Sequence, residues 1–542
     1  MTRRAGEVPG RPRTAGESVE PRADDRPKRP RGTDRAPRAA RRARPRGLPA
    51  IGIEAEFATI VDGAQVRPED VFGSPRAIVR GPMVHRTGRS YHLPTGGAVY
   101  FDTGVIELAT PMIEIERGCG ARATRVLWES LGFLRDELDD WERQRGRTVR
   151  LAGFSTHYNV SFDQAGDAPD REHAVGRLAW LLTHVLAAPV MLLAANRRST
   201  GVGVRPRGDR IEVTADFTPD AGLMAATATL VVGIARAVMT WPSYELRELE
   251  RRGIPMVHGF APVVHSSRQG WVARPACFPR NPFACDVNAR MWPATTGEWL
   301  SLREMAGRTT RVFWDSIRAL GDPLSLQLIA AIMRGRAPSL LELQDRPAAY
   351  EDVGRLCRWN DLFPITLLPR SRFERVLVHA IAGRRVRMDG SWHRPVGVRG
   401  WTHVVFRRER DGVRRVMSLD EMLAHLDAWD RTADRRMSER RIAALARREI
   451  ERRIEADRRA ALDAAEHRRR AMDHGEPPTN GVDAPTAEVS SPAGQSGQPG
   501  RMESEVPLPH STEQRAARDI ATERSRDAAP ASVPRDAPRH AH

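Results

Sequence analysis

The chain has 542 residues, 40% of them hydrophobic, which suffices for two or three ordinary domains and excludes a wholly disordered protein. Its formal charge of +17 comes from arginines spread along the chain, with Lys28 the sole lysine, so composition marks no dedicated nucleic-acid surface. The four cysteines, Cys119, Cys277, Cys285 and Cys357, form no CxxC pair and no dense framework, as expected of reduced thiols in a cytoplasmic protein.

Residues 1–48 are Arg, Pro, Gly and acids with almost no large apolar side chain, and nothing there offsets the entropy of ordering, so a disordered tail is expected. Residues 1–20 also lack the apolar core of a signal peptide. A globular stretch follows over 49–431. Strand-like runs at 51–60, 98–101, 105–109, 151–162 and 202–217 are interspersed with helical patterns at 124–145, 172–193 and 222–239. This order is not a βαβ alternation and predicts an antiparallel or mixed sheet backed by helices. The apolar runs 178–195 and 223–239 are interrupted by His184, Pro189 and Arg236 and read as buried helices, so no membrane association is expected. The region 271–431 begins helical and ends in a small β unit whose DG dipeptides, at Asp389 and Asp411, signal hairpins. Residues 432–472 form an Arg, Glu and Ala-rich charged helix with a thin seam of Ile442, Leu445, Ile450 and Ile454, and 473–542 return to disordered-tail composition.

Four strands carry polar groups that packing does not explain. In "IGIEAEFATI", Glu54 and Glu56 are two apart and point to one face, where two like charges cost energy unless a cation lies between them. In "GGAVYFDTGVIELATP", Asp102 and Glu107 flank Thr103 and Gly104, so two strand segments meeting at a bend bring both acids to one cleft. In "GFSTHYNVSF", His157 and Asn159 share a face while Tyr158 points away, which suits a metal ligand beside a substrate contact. In "GVGVRPRGDRIEVTADF", Arg205 and Arg207 precede Arg210 and Glu212 by a short turn, placing forked donors beside a carboxylate. Each pattern alone also arises from a solvated face, a turn aspartate, a satisfied core histidine or a cross-strand ion pair. Together they provide the hard oxygen donors and guanidinium groups that a Mg²⁺ nucleotide site on a sheet needs.

In this order the motifs resemble the glutamine synthetase and glutamate-cysteine ligase superfamily of carboxylate-amine ligases, and within it the Pup ligase and Pup deamidase/depupylase group. The likeness rests on "GIEAEF", on "GGAVYFDTGVIELATP", on "HYNVSF", and on "RIEV" with the helix "LMAATATLVVGI", over residues 50–240. It implies an α+β fold: a glutamine synthetase-like curved antiparallel sheet, an open cradle backed by helices. The catalytic domain would be 49–270, followed by a smaller C-terminal α/β region over 271–431. The resemblance further implies ATP and Mg²⁺ on the cradle, with Glu54, Glu56, Glu107, His157 and Glu212 as cation ligands. Asn159, Arg205, Arg207 and Arg210 would contact nucleotide or acyl phosphate, and Asp102 would be catalytic. The sequence departs from the Pup enzymes where their His-Pro-Glu is here Val-Ile-Glu, where its own fourth strand reads Arg-Ile-Glu as in glutamine synthetase and glutamate-cysteine ligase, and in 271–431 with its basic helical tail, which has no counterpart; these departures leave the substrate open.

The expected activity is an ATP-dependent carboxylate-amine ligase joining a carboxylate substrate to an amine acceptor, with a small Pup-like protein as one reading of the carboxylate partner. An amidohydrolase using the same nucleotide site and a non-catalytic scaffold are the alternatives.

Overall fold

Hydrophobic residues at every second position of "AIGIEAEFATIV" build the central strand of the protein. The computed structural model describes residues 49–162, 171–196, 199–265, 269–342 and 370–423, together with helical residues between 447 and 469. The expected tails at 1–48 and 473–542, and most of the expected charged helix with Ile442 and Leu445, lie outside the described residues.

In chain order the first strands are β1 (Ala50–Val61), β2 (Ala64–Val66), β3 (Val84–Thr87), β4 (Ser90–His92), β5 (Ala98–Asp102), β6 (Val105–Ala109) and β7 (Ile113–Glu114). They are followed by β8 (Val149–Ser161), β9 (Val202–Arg207), β10 (Arg210–Ala215), β11 (Val263–Val264) and β12 (Trp271–Ala273). These twelve form one sheet in the order β11-β12-β9-β10-β8-β1-β6-β5-β4-β3, with β2 and β7 also pairing to β1. Every pairing in it is antiparallel.

Ile51, Ile53, Ala55 and Phe57 of β1 are fully buried against helices, while Gly52, Glu54, Glu56 and Ala58 alternate with them onto the other face. A short α1 (Pro68–Phe72) precedes three long helices, α2 (Cys119–Arg145), α3 (Arg171–Ala194) and α4 (Ala221–Met239). Phe217 joins sheet to helix, 5.1 Å edge-on from Phe57 and 5.8 Å stacked on Trp128 of α2. Gly120 of α2 lets the α4 backbone approach, since a Cβ there would meet Thr229 Oγ1 at 2.6 Å. Both α3 and α4 are long and apolar enough to cross a membrane, yet 78% and 89% of their apolar windows are buried inside the protein, so packing accounts for their composition. The run over 202–217 is a hairpin whose turn, expected between Arg207 and Arg210, falls at Gly208 and Asp209, so that β9 and β10 pair with Arg205 opposite Glu212.

Residues past 270 join the sheet and its core. β12 adds to the large sheet beside β9. Past α5 (Arg247–Arg251) and a two-stranded pair, β13 (Trp292–Pro293) with β14 (Trp299–Leu300), three helices follow: α6 (Leu302–Val312), α7 (Trp314–Leu320) and α8 (Pro323–Met333). Leu302, Met305, Ile317, Leu328 and Ile332 of these helices are buried in the same core as α3 and α4. Apolar residues on the outer faces of α3 and α4 require that second helical layer, which is why the sheet and 271–341 fold as one body.

A separate small core begins at α9 (Arg372–Ile381) and continues through β15 (Val386–Met388), β16 (Ser391–Arg399), β17 (His403–Arg408), β18 (Arg414–Ser418) and α10 (Leu419–Leu423). Asp389 and Gly390, at φ 48° and 73°, make the two-residue turn that "DG" predicts, and a second turn through Asp411 and Gly412 joins β17 to β18. The unit docks through charge: Arg125 Nη2 of α2 donates to both oxygens of the fully buried Glu374 at 2.8 Å, and Arg370 reaches Glu129 at 2.9 Å. Glu374 also closes the capping box of α9 with Ser371.

Candidate active site on the sheet

Antiparallel register brings the predicted polar residues into neighbouring rows. Glu107 lies opposite Glu56 in the β1–β6 pair. Across β1 and β8, Glu54 faces His157, Glu56 faces Ser155 and Gly52 faces Asn159. Asn159 in turn faces Glu212 on β10, and Glu212 faces Arg205 on β9. All of these sit on the face turned away from α2, α3 and α4, because each is separated by even steps from the others on its strand. A bulge at Phe154 reverses the alternation of β8, so that Val149 and Leu151 before it and Tyr158 and Val160 after it face the core, and leaves Phe154 56% exposed.

At the centre, Glu54, Glu107 and His157 offer ligand atoms that all lie within 4.8 Å of one another. His157 Nδ1 is 3.7 Å from Glu54 Oε2 and 3.8 Å from Glu212 Oε1, and its Nε2 is 3.8 Å from Glu56 Oε1. Ser155 Oγ donates to Glu56 Oε2 at 2.6 Å and stands 3.1 Å from His157 Nε2. Tyr100 Oη donates to Glu107 Oε1 at 2.5 Å.

Charge is unevenly balanced here. Burial pushes the Glu107 carboxyl well above its ordinary range, and the charges of Glu54 and Glu56 push it further, although the Tyr100 hydrogen bond opposes them. Burial also acts to raise Glu54, but the hydrogen bond and charge of His157, followed by Arg210 and Arg86, hold it at about 2. Among the described residues no arginine lies within ion-pair distance of Glu54, Glu56 or Glu107. Three clustered carboxylates and an imidazole are a donor set that fits a divalent ion, with the oxygens suited to Mg²⁺.

The arginines stand on the other side of His157. Arg205 Nη2 donates to Glu212 Oε1, and Arg207 Nε donates to Glu212 Oε2 at 2.9 Å, so both oxygens of that buried carboxylate are engaged by guanidinium groups. Glu212, expected among the cation ligands, is therefore held first by the two arginines expected to hold phosphate. Arg210 Nε donates to Asn159 Oδ1 at 2.8 Å, fixing the amide that faces Glu212.

Asp102 ends β5, only 7% exposed, with Thr103 Oγ1 donating to its Oδ1 at 3.1 Å. Thr103 and Gly104 take φ of 41° and 102°, so the strands meet in a tight hairpin, anchored where Gly104 N donates to Glu69 Oε1 at 3.0 Å. Tyr100 and Asp102 share the face of Glu107, which makes Asp102 the outermost acid of the row.

Four further side chains belong to this surface. Ser155 was legible in principle, since it lies two residues from His157 on the same strand face. Tyr100 could be found only from the β5–β6 register. Arg86 of β3 lies 5.4 Å over the Tyr100 ring and 4.7 Å over Trp401. His265 is held down to about 3, by burial first and then by the charges of Arg205, His157, Arg274 and Arg207. Neither Arg86 nor His265 carries a motif.

No protein-family model matches the chain, and no curated protein matches it. Thirteen chains of known structure do match. One is from the crystal structure of the complex between prokaryotic ubiquitin-like protein Pup and its ligase PafA, at 11% identity and a TM-score of 0.37, covering 70% of this chain and 93% of that one.

Proposed function

We propose that the chain is an ATP- and Mg²⁺-dependent carboxylate-amine ligase, with the large sheet as its nucleotide cradle. The observation that carries this reading is the convergence of Glu54, Glu107 and His157 within 4.8 Å, next to the Arg205, Arg207 and Arg210 group. The motif resemblance over residues 50–240 supports it. Bound Mg²⁺ would neutralise the carboxylates and the charge on transferring phosphate oxygens. Glu54, Glu56, Glu107 and His157 would hold it. An anionic ligand would compete with Glu212 for Arg205 and Arg207, and its arrival would free that carboxylate toward the cation side.

In the reaction, a substrate carboxylate oxygen attacks the γ-phosphorus and ADP leaves, giving an acyl phosphate. The amine nitrogen then attacks the acyl carbon, inorganic phosphate leaves with the C–O bond electrons, and the amine proton passes to Asp102. Arg205, Arg207 and Arg210 hold phosphate oxygens by forked donation. Asp102 stands at the outer end of the acid row, on the face of Glu107, apart from the residues that would hold the cation. A small Pup-like protein is the proposed carboxylate partner and the cytoplasm the proposed location.

The test is a thermal-shift titration with Mg²⁺ and ATP, followed by ADP release on adding candidate carboxylates and amines. Stabilisation of the wild type that is lost in Glu56→Ala is expected. Absence of any shift in the wild type overturns the reading, and amide cleavage without ATP consumption reassigns the site to a hydrolase.

A further inference from the structure

The C-terminal unit from Arg370 to Leu423 holds 13 arginines against six aspartates and glutamates. Several stand at its turns and edges and are paired. Arg385 pairs with Glu409 at 3.5 Å, Arg408 and Arg410 with Asp411 at 2.6 and 3.5 Å, and Arg415 with Asp389 at 2.6 Å.

Register gathers five others onto one face. Arg387 lies opposite Trp392, and Arg399 opposite His403. Between them Arg394 on β16 faces Arg407 on β17, and Arg407 faces Arg414 on β18, giving three arginines in one cross-strand row. The alternate residues Val386, Met388, His393, Val398, Val404, Phe406 and Met417 are buried, so the arginine face is the one turned away from the small core. All five arginines are exposed, and among the described residues none of them makes an ion pair or hydrogen bond.

Like charges directly opposite one another destabilise a sheet, and neighbouring strands are only about 4.8 Å apart. A unit that pairs Arg385, Arg408, Arg410 and Arg415 yet lines up three unpaired arginines in one cross-strand row beside the β17–β18 turn suits an external anion. The same face carries flat and apolar surface: Trp392 is 47% exposed, Val416 is 41% exposed, and Val405 lies directly across from Val416. Arg385 covers one side of the Trp392 ring at 5.2 Å, which orients the indole.

We propose that this face binds single-stranded nucleic acid. Guanidinium forks donate to phosphate oxygens in pairs, while Trp392 and His403 offer rings to unstacked bases. The arginine face presents no helix to a duplex groove, whereas open sheet faces with exposed aromatics suit single strands. The arginines are dispersed in sequence, so composition marks no such surface; pairing of β15 to β18 assembles it.

Fluorescence anisotropy of the full chain with a labelled single-stranded oligonucleotide of about 16 nucleotides tests this. Arg394→Glu/Arg407→Glu/Arg414→Glu should weaken binding at least about tenfold and flatten the salt dependence, which falls by about 0.7 in slope per lost phosphate contact on single strands. Trp392→Ala, which leaves the charge intact, should cost about five- to 100-fold with little change in slope. Unfolding temperatures near that of the wild type certify both variants. No binding by the wild type near physiological salt, or equal affinity in the triple variant, overturns the proposal. So does a duplex bound as tightly as the single strand, or poly-glutamate bound more tightly than the oligonucleotide and released by the triple variant, which reassigns the face to an acidic protein. None of these outcomes depends on the acid cluster of the large sheet.

Discussion

Glu107 and Tyr100 face each other across the β5–β6 hairpin, and the phenol donates to the carboxylate at 2.5 Å. That bond keeps Glu107 pointed at Glu54 and His157 even though burial and the neighbouring acids resist its ionisation. The arrangement is one that a cation completes.

Glu107→Gln removes a like charge while preserving shape. The variant should unfold at or slightly above the wild-type temperature without ligand, since it relieves repulsion from Glu54 and Glu56. With Mg²⁺ and ATP the order should reverse, because only the wild type gains binding free energy. Differential scanning calorimetry with and without the ion reads both halves; a variant stabilised by Mg²⁺ and ATP as much as the wild type would remove Glu107 from the cation site.

Ser155 donates to Glu56 and stands next to His157, so it orients two side chains of the site without being a ligand itself. Ser155→Ala should lower Mg²⁺-dependent nucleotide affinity about 10- to 100-fold, as loss of an outer partner does at metal sites. Isothermal titration is the measurement, and unchanged affinity would make the serine merely structural.

Asp102 should separate binding from turnover. Asp102→Asn is expected to keep nucleotide affinity within about twofold and to lower amide formation by about 10² to 10⁴-fold, the range for loss of a general base. Equal losses in binding and turnover would place Asp102 with the ligands instead.

Arg125 compensates the fully buried Glu374 that ties the C-terminal unit to α2. Arg125→Met should cost about 3 kcal/mol, the lower end for stranding a buried charge, because Arg370 and the Ser371 amide still hold Glu374. Arg370→Met, removing a half-exposed arginine, should cost about 1 kcal/mol or less. Urea denaturation ranks the two, and a reversed order would refute the docking role of Arg125.

His92 supplies a pH signature. It is fully buried against Trp401, with ring centroids 5.0 Å apart, and burial followed by the charge of Arg86 pushes its imidazolium down to about 4. The unfolded chain titrates near 6.5 and so binds more protons between the two values, which means that stability rises with pH through that window. Stability present above about pH 6.5 should be lost as pH falls toward 4, by about 3 kcal/mol in all. His92→Gln should flatten that part of the profile of denaturation midpoint against pH; an unchanged slope would assign it to other groups.

Patterns within a few residues commit side chains to faces and chain to turns. The period-2 pattern of "IGIEAEFATI" commits Ile51, Ile53, Ala55 and Phe57 to one face and Glu54 and Glu56 to the other, and "DG" at Asp389 commits a turn with positive φ. Helix positions followed for the same reason, since side-chain direction is set within a few residues. Register was decided only by tertiary structure. Whether Glu54 meets His157, or Arg205 meets Glu212, depends on pairing segments dozens of residues apart, and a slip of one residue would turn either side chain to the opposite face. Tyr100, Arg86 and His265 could not be assigned to the site for that reason, nor could the arginine row of β16, β17 and β18. The place of α6 to α8 in the larger core has the same origin: they carry ordinary amphipathic patterns, and only the apolar outer surfaces of α3 and α4, known once those helices are packed, draw them in.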